Sequence, residues 1–163
     1  MKKLSIILFS VCCIMSFSCQ YSKGVKIDLA TGLSTSYNGL TIDDIYLADE
    51  NGNRLGDNKI TMGSKLAVVA TGVDYFTEKD GKVFPGCSIL LTDKTGEEIL
   101  NLPDAFADMV NGTTASEAKI LQASLNTGDP MIVGETYHLY VRFYDKNNKE
   151  NEIVANVDLL MKE

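Results

Sequence analysis

The chain has 163 residues, and its 22 acidic and 15 basic side chains give a formal net charge of −7 at neutral pH. A protein of this charge is repelled by phosphate backbones, so the composition excludes nucleic acid as a partner. The length suits one domain with a core of ordinary size. With one histidine and no paired cysteine spacing of the zinc-binding type, the sequence predicts neither a metal site nor a cofactor.

The amino terminus has the layout of a secretory signal. Two lysines precede an apolar run over residues 4–15, which ends at Ser16 and Ser18. A basic start, an apolar run of about a dozen residues and a small-residue exit are typical of a signal peptide. A membrane-spanning helix needs roughly 20 apolar residues, and this run is too short. We therefore predict a signal peptide over residues 1–18.

The end of this run resembles a lipobox. Cys19 follows the small residue Ser18, whereas Cys12 and Cys13 lie inside the apolar run. Residues 15–19, Met-Ser-Phe-Ser-Cys, are similar to the lipobox of bacterial lipoproteins. The resemblance implies that the thiol of Cys19 is lipidated and that Cys19 becomes the first residue of the mature protein. Fatty acyl chains such as palmitate would then hold the protein stably to a membrane, because two or more chains anchor where one does not.

The same resemblance suggests where the protein is placed and how it is divided. Gln20, rather than an aspartate, follows the lipidated cysteine, and this favours the outer membrane of a Gram-negative cell envelope. Whether the domain faces the periplasm or the surface stays open. Residues 19–24 would form a short lipidated tether, and residues 25–163 the folded domain, as in small Gram-negative envelope lipoproteins.

A second processing route remains open. Ser16 and Ser18 also fit an ordinary secretory cleavage site. Cys19 would then stay unmodified, and an oxidising compartment would allow a disulfide between Cys19 and Cys87. Cys87 begins an apolar run over residues 87–91, and this favours a buried, unreactive thiol instead.

Beyond the tether, short β-type runs alternate with turn residues. Asn-Gly at 51–52 and Asp-Gly at 80–81 accept the positive φ angles that tight turns need. Short strands separated by such turns predict an all-β, antiparallel sandwich of about seven to nine strands. The predicted strands cover residues 25–29, 44–48, 65–70, 87–92, 119–125, 136–144 and 152–160.

The run over residues 136–144 gives the strongest strand prediction. Apolar and polar residues alternate in it with a period of two, which places them on opposite faces of a strand. The inward set is Tyr137, Leu139, Val141 and Phe143, and the outward set is His138, Tyr140, Arg142 and Tyr144.

Residues 134–137, Gly-Glu-Thr-Tyr, lie just before this strand. They resemble the tyrosine corner of immunoglobulin-like sandwiches, in which a tyrosine at the start of the penultimate strand bonds to nearby backbone. The resemblance implies an immunoglobulin-like fold with Tyr137 in that role. An ordinary core tyrosine at a strand start is the alternative.

One segment breaks the β pattern. Pro103 and Asp104 suit the first turn of a helix, and Phe106 and Met109 follow at helical spacing. We expect one short helix near 103–110 that covers an open end of the sandwich.

The sequence offers little that would support catalysis. His138 is the single histidine, and the strand pattern places it on an outer face with no enclosed pocket. Asp49, Asn51 and Asn53 alternate as in a calcium loop, but Arg54 occupies the position that requires glycine. We predict that the protein is not an enzyme and has no catalytic residues, and a small hydrolase is the least favoured alternative.

The function that the sequence favours is a non-catalytic protein-interaction module on the envelope membrane. Tyrosine and arginine are enriched at protein interfaces. The candidate patch on the outer face of the strand is therefore Tyr140, Arg142 and Tyr144, and its partner would be another envelope protein.

The alternative function is a glycan- or calcium-binding module that uses its loops. Aromatic rings can stack on sugars, and clustered turn carboxylates can hold calcium. The candidate loop residues are Tyr75, Phe76, Asp93 and Asp145.

Overall fold

A computed structural model describes residues 22–163. This part of the chain forms ten strands and one 3-10 turn at Glu117–Lys119. The strands are β1 (Lys23–Ile27), β2 (Ser34–Asn38), β3 (Asp44–Ala48), β4 (Lys59–Thr61), β5 (Lys65–Thr71), β6 (Pro85–Asp93), β7 (Glu98–Leu102), β8 (Ile120–Asn126), β9 (Thr136–Asp145) and β10 (Glu152–Lys162).

The strands form two sheets. The larger sheet has the order β1-β2-β10-β9-β6-β7, and β4 adds to it by pairing with the end of β10. The smaller sheet has the order β3-β5-β8. The β4–β10 pair is parallel, and the other strand pairs are antiparallel.

This topology is that of an immunoglobulin-like sandwich. Strands β3, β5 and β8 correspond to A, B and E of that fold, and β6, β9 and β10 correspond to C, F and G. The hydroxyl of Tyr137, at the start of β9, accepts a hydrogen bond of 2.9 Å from the backbone N–H of Ile132. Tyr137 is buried, so it forms the predicted tyrosine corner. The all-β, antiparallel sandwich predicted from the sequence is confirmed.

All seven predicted strands are present, and β2, β4 and β7 bring the total above the predicted seven to nine. These three are short, at five, three and five residues. β2 has the sequence Ser-Thr-Ser-Tyr-Asn, which shows no apolar alternation. Pairing with neighbouring strands, rather than a pattern in their own residues, makes these segments strands.

The core lies between the two sheets. From the larger sheet, alternate residues of β9 and β10 point inward and are fully buried, as the period-two pattern predicted. They pack against the inward residues of β5 on the facing sheet. The central residues are Leu66, Val68, Leu139, Val141, Phe143, Ile153 and Leu159.

The predicted helix near 103–110 is wrong, because this segment forms consecutive turns. The side chain of Asp104 accepts hydrogen bonds from the backbone N–H groups of Cys87 and Phe106, at 3.2 and 2.9 Å. The ammonium group of Lys146 donates a hydrogen bond of 2.8 Å to the carbonyl of Phe106. The N–H of Met109, three residues on, donates to the same carbonyl, where an α-helix would use the N–H four residues on. Phe106 stacks on Phe143 at a centroid distance of 6.3 Å. These tertiary contacts override the local helical spacing.

Cys19 and the predicted signal peptide lie outside the described residues. β1 begins at Lys23, inside the segment expected to form the tether. Within residues 22–163, no helix has the length and apolar character needed to cross a bilayer.

Candidate interaction face

The outer face of the larger sheet carries the patch predicted from the sequence. Along β9, the outward positions are His138, Tyr140, Arg142 and Tyr144, in agreement with the alternation. Strands β10 and β6 lie on either side of β9, and β2 lies beyond β10; their outward residues are mostly small or polar, and together they make a broad face. We call the outer surface around Tyr140 and Arg142 the interaction face.

Arg142 is held in a fixed position on the interaction face. Its Nε donates to a carboxylate oxygen of Glu152, the β10 residue that pairs with Tyr144, and its Nη2 donates to the carbonyl of Lys149 at 2.8 Å. Its guanidinium carbon lies 4.8 Å from the ring centroid of Tyr144, a cation–π distance. Because three groups fix it, Arg142 can meet a partner without losing much conformational freedom.

Tyr144 contributes little to this surface, because only 8% of it is exposed. Its cross-strand neighbour on β6 is Gly86, and the ring lies over that glycine. A Cβ at Gly86 would come within 2.3 Å of the ring, so only glycine admits this packing. Burial raises the pKa of Tyr144, and the nearby Asp104 carboxylate adds to that effect. Tyr144 therefore supports Arg142 from below.

Tyr140 is the aromatic residue that the interaction face presents. It is partly exposed, and burial raises the pKa of its hydroxyl. In register, it lies between Asn156 of β10 and Leu90 of β6, both partly exposed. The row continues through Ser34 to Ile27 at the sheet edge. A partly exposed aromatic ring with uncharged neighbours is the composition of an interface centre.

His138 lies one row further along the same face and is paired with a carboxylate. Its Nδ1 is 2.9 Å from an oxygen of Asp158, and its side chain is 49% exposed. Thr92 is its register partner on β6, yet no hydrogen bond joins that hydroxyl to the imidazole among the described residues. A histidine–carboxylate pair without an engaged nucleophile lacks the contacts of a nucleophilic triad.

The predicted ligand loops do not come together at one place. Asp145 pairs with Pro85 at one end of the β6–β9 ladder, and Asp93 pairs with Tyr137 at the other. Eight residue steps along the ladder separate them by roughly 26 Å. Asp93 and Asp145 are therefore too far apart to bind one calcium ion together. Within residues 22–163, no cluster of three potential metal-binding side chains occurs.

Asp145 has a structural role at its end of the sandwich. It is fully buried, and its carboxylate accepts hydrogen bonds from the backbone N–H groups of Thr77 and Asn147, at 2.7 and 2.8 Å. It therefore joins the loop after Phe76 to the β9–β10 turn. Tyr75 is 52% exposed in this loop and has a φ of 69°, in the left-handed region that bulky residues rarely adopt.

The other carboxylates of the predicted loops satisfy turn backbone. Asp93 Oδ1 accepts from the N–H groups of Thr95 and Glu97, at 2.7 and 2.9 Å. Asp49 Oδ1 accepts from two N–H groups of the 51–53 turn in the same way. Each carboxylate also accepts a side-chain hydrogen bond, Asp49 from Asn53 and Asp93 from Thr95. These side-chain bonds make the largest contribution to lowering the pKa of both carboxyl groups, and the backbone bonds add to it. Their oxygens serve the turns, as their turn-forming residue types suggest.

Sequence reasoning missed a groove beside the β1–β2 hairpin. It encloses about 600 Å³, and the side chains of Lys26, Asp28, Thr35 and Arg54 are among those lining it. Thr35 Oγ1 and Asp28 Oδ2 are buried there without a hydrogen-bond partner. Unpaired buried polar atoms are uncommon in folded proteins. No sequence signal marked the groove, because β2 was not predicted as a strand.

Cys87 is fully buried on β6 between the sheets. Burial and the charge of Asp104 raise the pKa of its thiol to about 12. The thiol is therefore protonated at neutral pH, in agreement with the predicted unreactive state.

Comparison with known proteins supports the fold and goes no further. No family model matches the chain, and no curated protein sequence matches it. Among solved structures, the crystal structure of the C-terminal domain of Wzt is similar, with a TM-score of 0.51 and 11% sequence identity. The match covers 89% of this chain and 80% of that one. The similarity is one of β-sandwich architecture.

Proposed function

We propose that this protein is a lipid-anchored, non-catalytic module that docks another protein of the cell envelope through its interaction face. The proposal rests on the exposure of Tyr140 and the fixed orientation of Arg142. Tyr140 presents a partly exposed ring, and Arg142 is already oriented beside it by Glu152 and Tyr144. A pre-organised tyrosine and arginine pair on a broad sheet face suits a docking surface.

The membrane part of the proposal rests on the lipobox-like sequence that ends at Cys19. Mass spectrometry of the mature amino terminus should find a lipidated Cys19 in cells, with residues 1–18 removed. A Cys19→Ser variant should leave the membrane fraction. A native protein whose terminus carries no lipid would refute this part of the proposal.

The docking part is tested by comparing two tyrosine–arginine pairs. The test variant is Tyr140→Ala with Arg142→Ala. The control variant is Tyr46→Ala with Arg54→Ala, because Arg54 lies 4.5 Å from the ring centroid of Tyr46 on the other sheet. Crosslinking in intact envelopes, followed by quantitative mass spectrometry, identifies the neighbours of each variant.

The proposal expects one envelope protein to crosslink to the native and control proteins and to fall about tenfold or more in the test variant, as for a hot-spot pair. Both variants should retain cooperative thermal unfolding. Equal crosslinking by the test and control variants would remove the interaction face from consideration.

A second candidate function is the binding of a glycan or another hydroxyl-rich ligand in the groove beside the β1–β2 hairpin. The two unpartnered polar atoms of Thr35 and Asp28 favour it, because ligand hydroxyl groups could satisfy them. A glycan panel screened by calorimetry against the native protein and a Thr35→Val variant is the test. Binding that the variant weakens supports this candidate, and a flat response across the panel removes it.

A further inference from the structure

The edge strand β1 is inverted relative to an ordinary sandwich strand. Its apolar residues Val25 and Ile27 point outward and are 69% and 60% exposed, and Leu29 follows in the turn at 92%. The inward positions hold Gly24 and Lys26 instead. An exposed apolar cluster of this kind marks an interaction surface. We call Val25, Ile27 and Leu29 the apolar edge.

The inverted orientation is fixed by contacts on the inner side of β1. Gly24 lies under Tyr37, and a Cβ there would come within 2.2 Å of the tyrosine hydroxyl. The ammonium group of Lys26 donates to the carbonyls of Ile42 and Asp43. A shift of one residue would turn the apolar residues inward but would drive a larger side chain against Tyr37. These contacts therefore hold the apolar edge on the exposed side of β1.

The length of the tether limits how far this edge can lie from the membrane. Four peptide units separate Cys19 from Lys23, the first residue of β1, and fully extended they span at most about 14 Å. This step rests on the proposed lipidation of Cys19. With the lipid in the bilayer, the start of β1 cannot move further than this from the membrane surface. The apolar edge is then held where an interfacial contact can form.

We propose that the apolar edge inserts shallowly into the lipid interface and fixes the orientation of the domain on its membrane. Apolar side chains that enter the boundary between headgroups and acyl chains add to the hold of a lipid anchor. The negative net charge does not oppose this contact on a zwitterionic surface, because the contact is made by uncharged side chains. The sheet then contacts the membrane with the β1 edge of its outer face.

Val25 and Ile27 project from the same outer face as Tyr140, so the membrane contact uses only the β1 edge of that face. Tyr140 is on β9, three strands from β1, and three strand spacings amount to about 14 Å. Tyr140 therefore lies away from the membrane contact on that face, within reach of a partner protein.

The absence of tryptophan from the sequence allows a clean test. The two reporter variants of the lipidated mature protein are Ile27→Trp and Ile120→Trp. Ile120 is the matched control, since it is also an exposed isoleucine, at 63%, and lies on the other sheet. Each variant is reconstituted on phosphatidylcholine vesicles with and without bromine on the acyl chains, and the tryptophan fluorescence is compared.

The proposal expects brominated lipid to quench the Ile27→Trp fluorescence by about half or more, because an interfacial side chain lies roughly 5–10 Å into the headgroup boundary. The Ile120→Trp fluorescence should be nearly unchanged. Equal, weak quenching of both variants would overturn the proposal. Shielding of the Ile27→Trp side chain from aqueous acrylamide without quenching by bromine would also overturn it, since a protein, such as a second copy of this chain, would then cover the edge.

The anchoring itself is read separately in the same samples. Vesicle flotation and mass spectrometry report whether the protein is bound and carries lipid. A protein without lipid that stays in solution overturns the proposed function and this inference together. A bound, lipidated protein with unquenched Ile27→Trp fluorescence overturns this inference alone.

Discussion

Replacing Asp145 should lower the stability of the domain, because its carboxylate has a structural role rather than a calcium-binding one. Asp145→Ala removes two hydrogen bonds to a buried carboxylate and leaves the N–H groups of Thr77 and Asn147 without their acceptor. Hydrogen bonds to charged groups contribute about 1.5–3 kcal/mol each, so the free energy of unfolding should fall by roughly 3 kcal/mol or more. Domains of this kind have only about 5–15 kcal/mol in total.

Urea unfolding of the Cys19→Ser protein, followed by circular dichroism, measures this loss. The matched control is Asp93→Ala, which removes a similar set of turn hydrogen bonds at a partly exposed site and should cost clearly less. Calcium should leave the unfolding midpoint of the parent protein unchanged. The structural reasoning is refuted if Asp145→Ala keeps the parent midpoint, or if calcium stabilises the parent and the substitution abolishes that effect.

Three further predictions concern the tyrosine corner, the buried thiol and acid. Tyr137→Phe should lower the free energy of unfolding by about 1 kcal/mol in the same urea assay, because the N–H of Ile132 loses its acceptor in a partly buried site; an unchanged midpoint would contradict this. In the Cys19→Ser protein, the thiol of Cys87 should not react with Ellman's reagent at pH 8 until urea unfolds the chain, since its pKa is raised to about 12; fast reaction of the folded protein would count against its burial. Hydrogen bonds from Thr113 and Thr114 lower the pKa of Glu117 from 4.5 to about 2. A carboxyl group whose pKa is lowered by folding stabilises the fold above its unfolded pKa, and this stability is lost as the pH falls through its folded pKa. The urea midpoint should therefore decrease as the pH falls from about 4.5 to about 2, and the decrease should be smaller in Glu117→Gln.

The strands that cross the core were predictable because their own residues carry the signal. Alternation in β9 and β10 gave the inward and outward faces correctly, and the sequence before Tyr137 indicated the corner that the structure contains. The alternation arises because one face of each strand is buried, and it can be read from the residues of that strand alone.

The missed elements depend on contacts far away in the sequence. The predicted helix near 103–110 failed because distant residues bind the backbone of this segment: Lys146 donates to the carbonyl of Phe106, and the N–H of Ala105 donates to the carbonyl of Cys87. β2 is polar and becomes a strand by pairing with β10. Local residue patterns hold no information about such partners.

In the candidate sites too, features set by local residues were predicted, and features set by distant contacts were missed. Tyr140 and Arg142 point outward as predicted, but the burial of Tyr144 depends on Gly86, which lies 58 positions earlier and is brought beside it by strand register. In the same way, the turn-type composition around Asp145 gave no sign that its carboxylate would be enclosed by the 75–77 loop. The apolar edge, in turn, was predicted as an ordinary strand at 25–29, because alternation does not say which face is inside.

The seclusion of Cys87 has a consequence for how the domain matures. Between the two sheets, its sulfur is protonated and out of contact with solvent once the chain has folded. A thiol in that state neither forms mixed disulfides nor requires an oxidase to reach its final form. Residues 22–163 can therefore complete folding in an oxidising compartment, and equally in a reducing one, with the same covalent structure.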